Sequence, residues 1–181
     1  MARQSQTLSW FDLATRYVDM KWPHVAAKSR TSISDALATV TPALATTTRG
    51  MPDPKVLRTV LYTWAFHTAN RIAAELTGAD ADALAWMRSH SLSVTTLDEP
   101  ERRSLVIRRA LDALALTMDG RAAAATTIAR KRAVFYGVLN YAVELDILSA
   151  NPIAKVTWRL LRWPRKSTAA LSPARLKSGS Y

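Results

Sequence analysis

The stretch Thr127-Ile128-Ala129-Arg130-Lys131-Arg132-Ala133-Val134-Phe135-Tyr136-Gly137-Val138-Leu139-Asn140-Tyr141-Ala142-Val143-Glu144-Leu145-Asp146 decides the fold class of this chain. At 100° per residue, Ile128, Phe135, Val138, Leu139, Ala142 and Leu145 fall in one stripe, as on a helix that lays one side on a core. The spacing predicts a helix from about Thr127 to about Asp146, capped by the hydroxyl of Thr126 or Thr127. Asn151-Pro152 closes the helical region, because proline cannot continue a helix.

Working outward, the same period recurs upstream. Ser9 and Asp12 form a weaker capping box ahead of Trp10, Leu13, Ala14, Tyr17 and Val18. Trp22-Pro23 ends that first helix. A second starts near Ser29, carries Ile33, Ala36, Leu37 and Val40, and stops at Pro42. Residues 46–54 are rich in Thr, Gly and Pro and read as a loop. A third helix carries Val56, Leu57, Val60, Leu61, Trp64 and Ala65, and a short fourth covers Ala81 to Arg88. The β-branched residues in 91–97 suit a short extended piece. Pro100 opens a fifth helix carrying Leu105, Val106, Arg109, Leu111, Leu114 and Leu116, which ends at Asp119-Gly120.

The expectation is an all-α bundle of five or six helices over residues 8–163. Residues 164–181 have too few large apolar side chains to pack and read as a linker tail. The length of 181 residues, with 49% hydrophobic residues and 5 glycines, suits one domain with a sizeable core. The absence of cysteine excludes disulfides and thiolate metal sites. No apolar leader is visible and no run reaches the ~18 apolar residues of a membrane span, so the expected location is the cytoplasm, away from membranes.

Charge is unevenly spread. Residues 121–181 carry eleven Lys/Arg against Glu144 and Asp146, a net +9, while residues 1–120 carry only +2. Such an excess attracts phosphate, although a solvated basic face would leave the same trace. Two clusters combine cations, hydroxyls and a helix start: Lys28-Ser29-Arg30-Thr31-Ser32, and Thr126-Thr127 with Arg130-Lys131-Arg132. Phosphates sit well at such helix beginnings. Ordinary capping and snorkelling side chains account for the same residues in the competing reading. Trp158 and Trp163 flank Arg159 and Arg162. That interleaving suits nucleic acid, but docking of the chain back onto the bundle explains it better.

No catalytic set, metal site or cofactor site is apparent. His24, His67 and His90 stand apart with no ligand spacing, and no glycine-rich phosphate loop occurs. Asp80, Asp82, Asp98, Glu99 and Glu101 suit the starts of helices.

The run Thr127–Phe135, then Leu139-Asn140-Tyr141-Ala142-Val143, then Leu148-Ser149-Ala150-Asn151-Pro152-Ile153, resembles the end of the N-terminal core-binding domain of tyrosine recombinases, the phage-type integrases. That domain ends with a Thr-x-x-Arg helix, an apolar Leu-x-x-Ala segment and an Asn-Pro turn. More widely, Trp22 to Ala36, Pro54 to Phe66 and Arg108 to Leu114 are similar to actinobacterial site-specific integrases. The resemblance covers residues 8–163. It implies a SAM-like helical bundle that clamps duplex DNA, other recombinase protomers as further partners, and a separate C-terminal domain that cuts. It places DNA contacts in the Lys28–Ser32 cluster and at Thr127, Arg130 and Lys131; together with the basic helix start, the candidate contacts are Lys28, Ser29, Arg30, Thr31, Thr126, Thr127, Arg130, Lys131 and Arg132.

The family's catalytic Arg, Lys, His-x-x-Arg and tyrosine are not found here, since no histidine has an arginine three residues later. Leu171-Ser172-Pro173-Ala174-Arg175-Leu176 resembles the first residues of the cutting domain. Tyr181 has no supporting site and is not offered as a nucleophile. The expectation is therefore DNA binding without cleavage, as the clamp half of a truncated recombinase. A small helical DNA-binding regulator or accessory protein is an alternative, as is a helical protein-interaction module.

Overall fold

The structure, a computed structural model, describes residues 7–160. Among these, seven α-helices form: α1 (Trp10–Lys21), α2 (Ala27–Val40), α3 (Pro54–Val60), α4 (Thr68–Ala73), α5 (Gly78–His90), α6 (Pro100–Leu114) and α7 (Ala125–Glu144). Isolated bridges occur among the described residues, but no strand. The all-α expectation holds, with one helix more than the sequence period indicates. Trp163, the reading of residues 164–181 as a tail, and Tyr181 lie outside the described residues.

The start of α1 follows the sequence closely. Asp12 N–H donates to Ser9 Oγ at 3.1 Å, and Ser9 Oγ donates to the Asp12 carboxylate at 2.9 Å. Trp10 is fully buried; its ring meets Phe135 of α7 edge-on at 5.4 Å, and its Nε1 donates to Thr41 Oγ1 at 3.0 Å. The tryptophan thus buries its area without stranding its N–H. Further along, α7 crosses α1 at Gly137. A Cβ there would lie 2.7 Å from Tyr17 Oη, so glycine is what lets Tyr17 approach.

Of the extended piece expected in 91–97 only residues 91–93 are extended, because Val94–Asp98 coil into a 3-10 turn; the short extended part stitches two segments together. Leu92 N–H donates to Leu44 O, Trp10 N–H to Leu92 O and Val94 N–H to Leu8 O, at 2.8–3.0 Å. At the other end, Asn151 folds the chain back onto α7. Its Nδ2 donates to Tyr136 O (3.1 Å) and Asn140 Oδ1 (2.8 Å), while its Oδ1 accepts from Ile153 N–H. Trp158 then docks, with Nε1 donating to Asp112 Oδ1 at 2.8 Å. One continuous core links Trp10 to Ile153.

Several boundaries differ from the sequence reading. α2 begins two residues before Ser29, at Ala27, and Ala26 supplies no side-chain cap. α6 stops at Leu114, not at Asp119-Gly120. The chain turns sharply there, with Leu116 opposite Ala122 and Gly120 at φ +76°. Leu105, Leu116 and Leu145, placed on apolar sides by period, are exposed, and Trp64 and Trp86 are only partly buried. α5 is longer than expected at both ends. α4 has no buried residue and so no apolar stripe to read.

The third helix also changes pitch. After α3, residues Leu61–Ala65 widen into a π-turn, closed by Phe66 N–H donating to Leu61 O at 2.9 Å. Such turns are uncommon and concentrate at functional sites.

Candidate nucleic-acid interface

α2 has two sides. Ile33, Ala36, Leu37 and Val40 face the core. Lys28, Thr31, Ser32, Asp35 and Thr39 recur three or four residues apart and so share the opposite side. α7 lies against that polar side near its own start. Arg130 Nη1 donates to Ser32 Oγ at 3.1 Å, and Arg130 Nη2 reaches Asp35 at 3.5 Å. Lys131 Nζ donates to Thr39 Oγ1 at 2.9 Å and lies 3.4 Å from Asp35.

A third cation enters from α3. Arg58 Nη2 donates to Asp35 at 2.6 Å, Arg58 Nη1 to Thr39 Oγ1 at 2.9 Å, and Arg58 Nε to Met118 Sδ at 3.0 Å. One carboxylate therefore faces three cations. Burial pushes the Asp35 carboxyl up, but the Arg58 hydrogen bond and the charges of Lys131 and Arg58 outweigh it and hold it below the ordinary carboxylate value. Burial lowers the Lys131 ammonium, and the nearby Arg58 and Arg130 add to that; the Asp35 charge only partly opposes them.

The nine expected contact residues do not form one patch. Lys28 and Ser29 are exposed on the first turn of α2. Thr31 is exposed, its hydroxyl bonded back to Ala27 O at 3.2 Å. Arg30 turns away: its Nε donates to Trp22 O at 2.9 Å and its guanidinium lies over the Trp22 ring at 5.2 Å. Arg130 keeps about half its side chain exposed (49%). Arg132 is exposed, but it lies about 200° around the helix from Arg130, on the far side of Lys131.

Two expectations are corrected. Lys131 is not a surface contact, because its side chain is only 11% exposed and is held by Asp35 and Thr39. Thr126 and Thr127 do not cap α7. The helix begins at Ala125 after Ala124, since the alanine run extends it upstream, and both threonines sit inside the first turn. What the fold does join is Ser32 of α2 with Arg130 of α7; Thr31 lines one cleft with Arg130, and Lys28 lies one turn before Ser32 on the same side of α2.

Asp35, Thr39 and Arg58 went unread. The polar period of α2 could have flagged the first two. Arg58 pairs across 23 residues and leaves no local trace.

Beside this cluster runs a groove. A cleft of about 320 Å³ is lined by Thr31, Asp35, Arg58, Tyr62, Thr63 and Arg130, among others. It adjoins a second of about 410 Å³, which shares Thr31, Tyr62 and Thr63 and is walled by Trp22, Arg30, His67 and Asn70. The π-turn supplies the shared Tyr62 and Thr63.

The apolar residues and the Asn-Pro turn that carry the integrase resemblance are structural. Ile128, Phe135, Leu139, Ala142, Leu148, Asn151, Pro152 and Ile153 are all buried. No helix among the described residues is long and apolar enough to cross a membrane. Comparison with protein-family models, with curated proteins and with solved structures gives no match.

Proposed function

We propose that this helical domain binds duplex DNA, as the clamp half of a tyrosine-type recombinase whose cutting chemistry resides in a separate domain. The observation that carries the reading is the bond from Arg130 of α7 to Ser32 of α2, which sets Arg130 beside the polar side of α2 that carries Lys28 and Thr31. Cations and hydroxyls in that arrangement hold backbone phosphates and position a protein on a duplex without reading its sequence. Lys28 and Arg130 make the electrostatic contacts, and Ser32, which accepts from Arg130, keeps its own hydroxyl proton to donate. Lys131 and Arg58 act from behind, by holding the face in place and raising its positive potential. Arg132 reaches a phosphate only if DNA also follows the far side of α7. No sequence preference follows from this arrangement, because the residues named address phosphate and none is placed to read a base edge.

The test is a salt titration of binding to a labelled duplex. Non-specific affinity on the order of 10⁻⁴–10⁻⁶ M is expected near physiological salt. Four to six phosphate contacts give a log–log slope of about −4 to −5. Binding indifferent to salt would favour the protein-interaction module instead. Incubation with supercoiled plasmid is expected to give neither nicking nor a covalent adduct, because no assembled nucleophile and cation set is recognised in the sequence.

A further inference from the structure

The Asp35 cluster is short of negative charge. Arg58, Arg130 and Lys131 surround one carboxylate, which leaves two positive charges uncompensated within the ion-pair cluster. Both clefts of the groove open beside it. Arg58 uses one N–H on each nitrogen in the bonds described above, so each terminal nitrogen keeps a second donor. Arg130 also keeps its Nε–H unpaired among the described residues. The hydroxyls of Thr59 and Tyr62, which line the same cleft, have no hydrogen-bond partner among the described residues either.

The neighbouring cleft has a different chemistry. Trp22 and His67 line it, their rings meeting edge-on at 4.8 Å with Arg30 over one Trp22 face, and Asn70 offers an amide oxygen and the Nδ2 proton not donated to Thr63 O. Tyr62 stands between the two clefts. A charged pocket for an anion therefore adjoins one lined by Tyr62, Trp22 and His67 with polar side chains among them, and together they are of a size that takes small molecules. The charge sets the kind of anion. A phosphate monoester carries about −1.5 to −2 near pH 7, which matches two uncompensated cations, whereas a phosphodiester inside a DNA strand carries one charge.

We propose that this groove binds a nucleoside monophosphate, with the phosphate between Arg58 and Arg130 and the base beside Tyr62 in the Trp22–His67 cleft. The ligand is either a free nucleotide or the 5′-phosphorylated end of a DNA strand. The site adjoins the duplex face, and Thr31 and Arg130 border both.

Calorimetric titration of the full chain tests this with thymidine 5′-monophosphate, thymidine and inorganic phosphate. One nucleotide is expected to bind with a dissociation constant on the order of 10⁻⁴ M. Thymidine and phosphate alone should each bind about tenfold more weakly. Tyr62→Leu is expected to weaken the nucleotide about fivefold through lost stacking, with duplex affinity unchanged. Lys28→Ala is expected to do the reverse. Thr63→Val, at an exposed position on the same wall, gives a second reading should Tyr62→Leu melt early. Oligothymidine with and without a 5′-phosphate separates the two sources. A phosphate-dependent gain points to strand ends, and equal binding alongside tight mononucleotide binding points to free nucleotide. No heat up to about 5 mM nucleotide, or binding that inorganic phosphate matches and that neither variant weakens, overturns the proposal whatever the duplex result.

Discussion

The two ends of α7 are held in different ways. Toward its C-terminal half, Phe135, Val138, Leu139 and Ala142 are fully buried, and Gly137 lets Tyr17 of α1 come close. Dispersion and apolar burial hold that half. Near its start, the helix meets α2 through Arg130, Lys131, Ser32, Asp35 and Thr39, where charge and hydrogen bonds do most of the holding. The C-terminal seam depends on shape and has no ion pair among the described residues to respond to acid or salt; its titrating group is Tyr17, whose hydroxyl is pushed up by burial and by Glu144. The N-terminal seam balances one carboxylate against three cations, so it responds to both. The side of the molecule that presents cations to a partner is thus the side whose own cohesion is electrostatic.

The largest expected effect breaks the packed seam. Phe135→Ala removes a buried ring in contact with Trp10 and is expected to cost about 3–5 kcal/mol, read by chemical denaturation. That loss should stay the same between low and high salt. Asp35→Asn comes next. Breaking a buried pair costs about 3–5 kcal/mol and an exposed pair about 0–1, and the 21% exposed Asp35 falls between, at about 2 kcal/mol. The same substitution should tighten binding to any polyanion, because it releases Arg130 and adds one positive charge. A loss of duplex affinity in folded Asp35→Asn would contradict the electrostatic account.

The pH dependence sharpens the comparison. Asp35 has a depressed value in the folded chain, so the unfolded state takes up its proton first as pH falls. Its contribution is therefore complete above the ordinary carboxylate value and is lost as pH drops through the lower, folded one. Lys131 is depressed too, so the unfolded chain again holds more protons between the two values. The Lys131 contribution should rise with pH across that window, while Tyr17, whose value is raised by burial and by Glu144, opposes it above the ordinary tyrosine value. Thermal melts should show an acid loss in the parent that is smaller in Asp35→Asn. Phe135→Leu, which keeps Asp35, should retain the full acid loss.

A smaller effect is expected at Gly137. An added Cβ meets Tyr17 Oη at 2.7 Å. The helix gains about 0.5–1 kcal/mol from replacing glycine, while overpacking costs about 1–3 kcal/mol. Gly137→Ala should therefore lose about 1 kcal/mol, and Tyr17→Phe in the same chain should recover part of it.

The packed seam was far more legible in the sequence than the charged one. Trp10, Leu13, Tyr17, Phe135, Val138 and Ala142 recur at helical spacing, and burial follows from that period alone. Ser9 and Asp12 mark a helix start with side chains that bond locally. Lys131 sits in a basic triplet with Arg130 and Arg132, and the helical period puts it near the apolar stripe with Arg130 pointing away, but nothing local names what receives its charge. Its burial depends on Asp35 and Thr39, more than ninety residues away. The π-turn at Leu61–Ala65 was hidden for a similar reason, because Val56 to Ala65 keeps an ordinary apolar period. The Asn151-Pro152 turn was visible as a sequence signature, yet its work is to bond Tyr136 O and Asn140 and to fold the chain onto α7.

Duplex binding through the joined α2–α7 face is tested most directly by comparing two matched charge losses on one labelled duplex across salt. Lys28→Ala with Arg130→Ala removes two cations from that face. Arg102→Ala with Arg108→Ala removes two exposed cations from α6. The account predicts that the first pair weakens binding to every duplex alike and flattens the log–log salt slope by about one to two units. It predicts that the second pair changes the slope little, with melts showing both proteins folded. Equal losses from the two pairs, or an unchanged slope in the first, would contradict it.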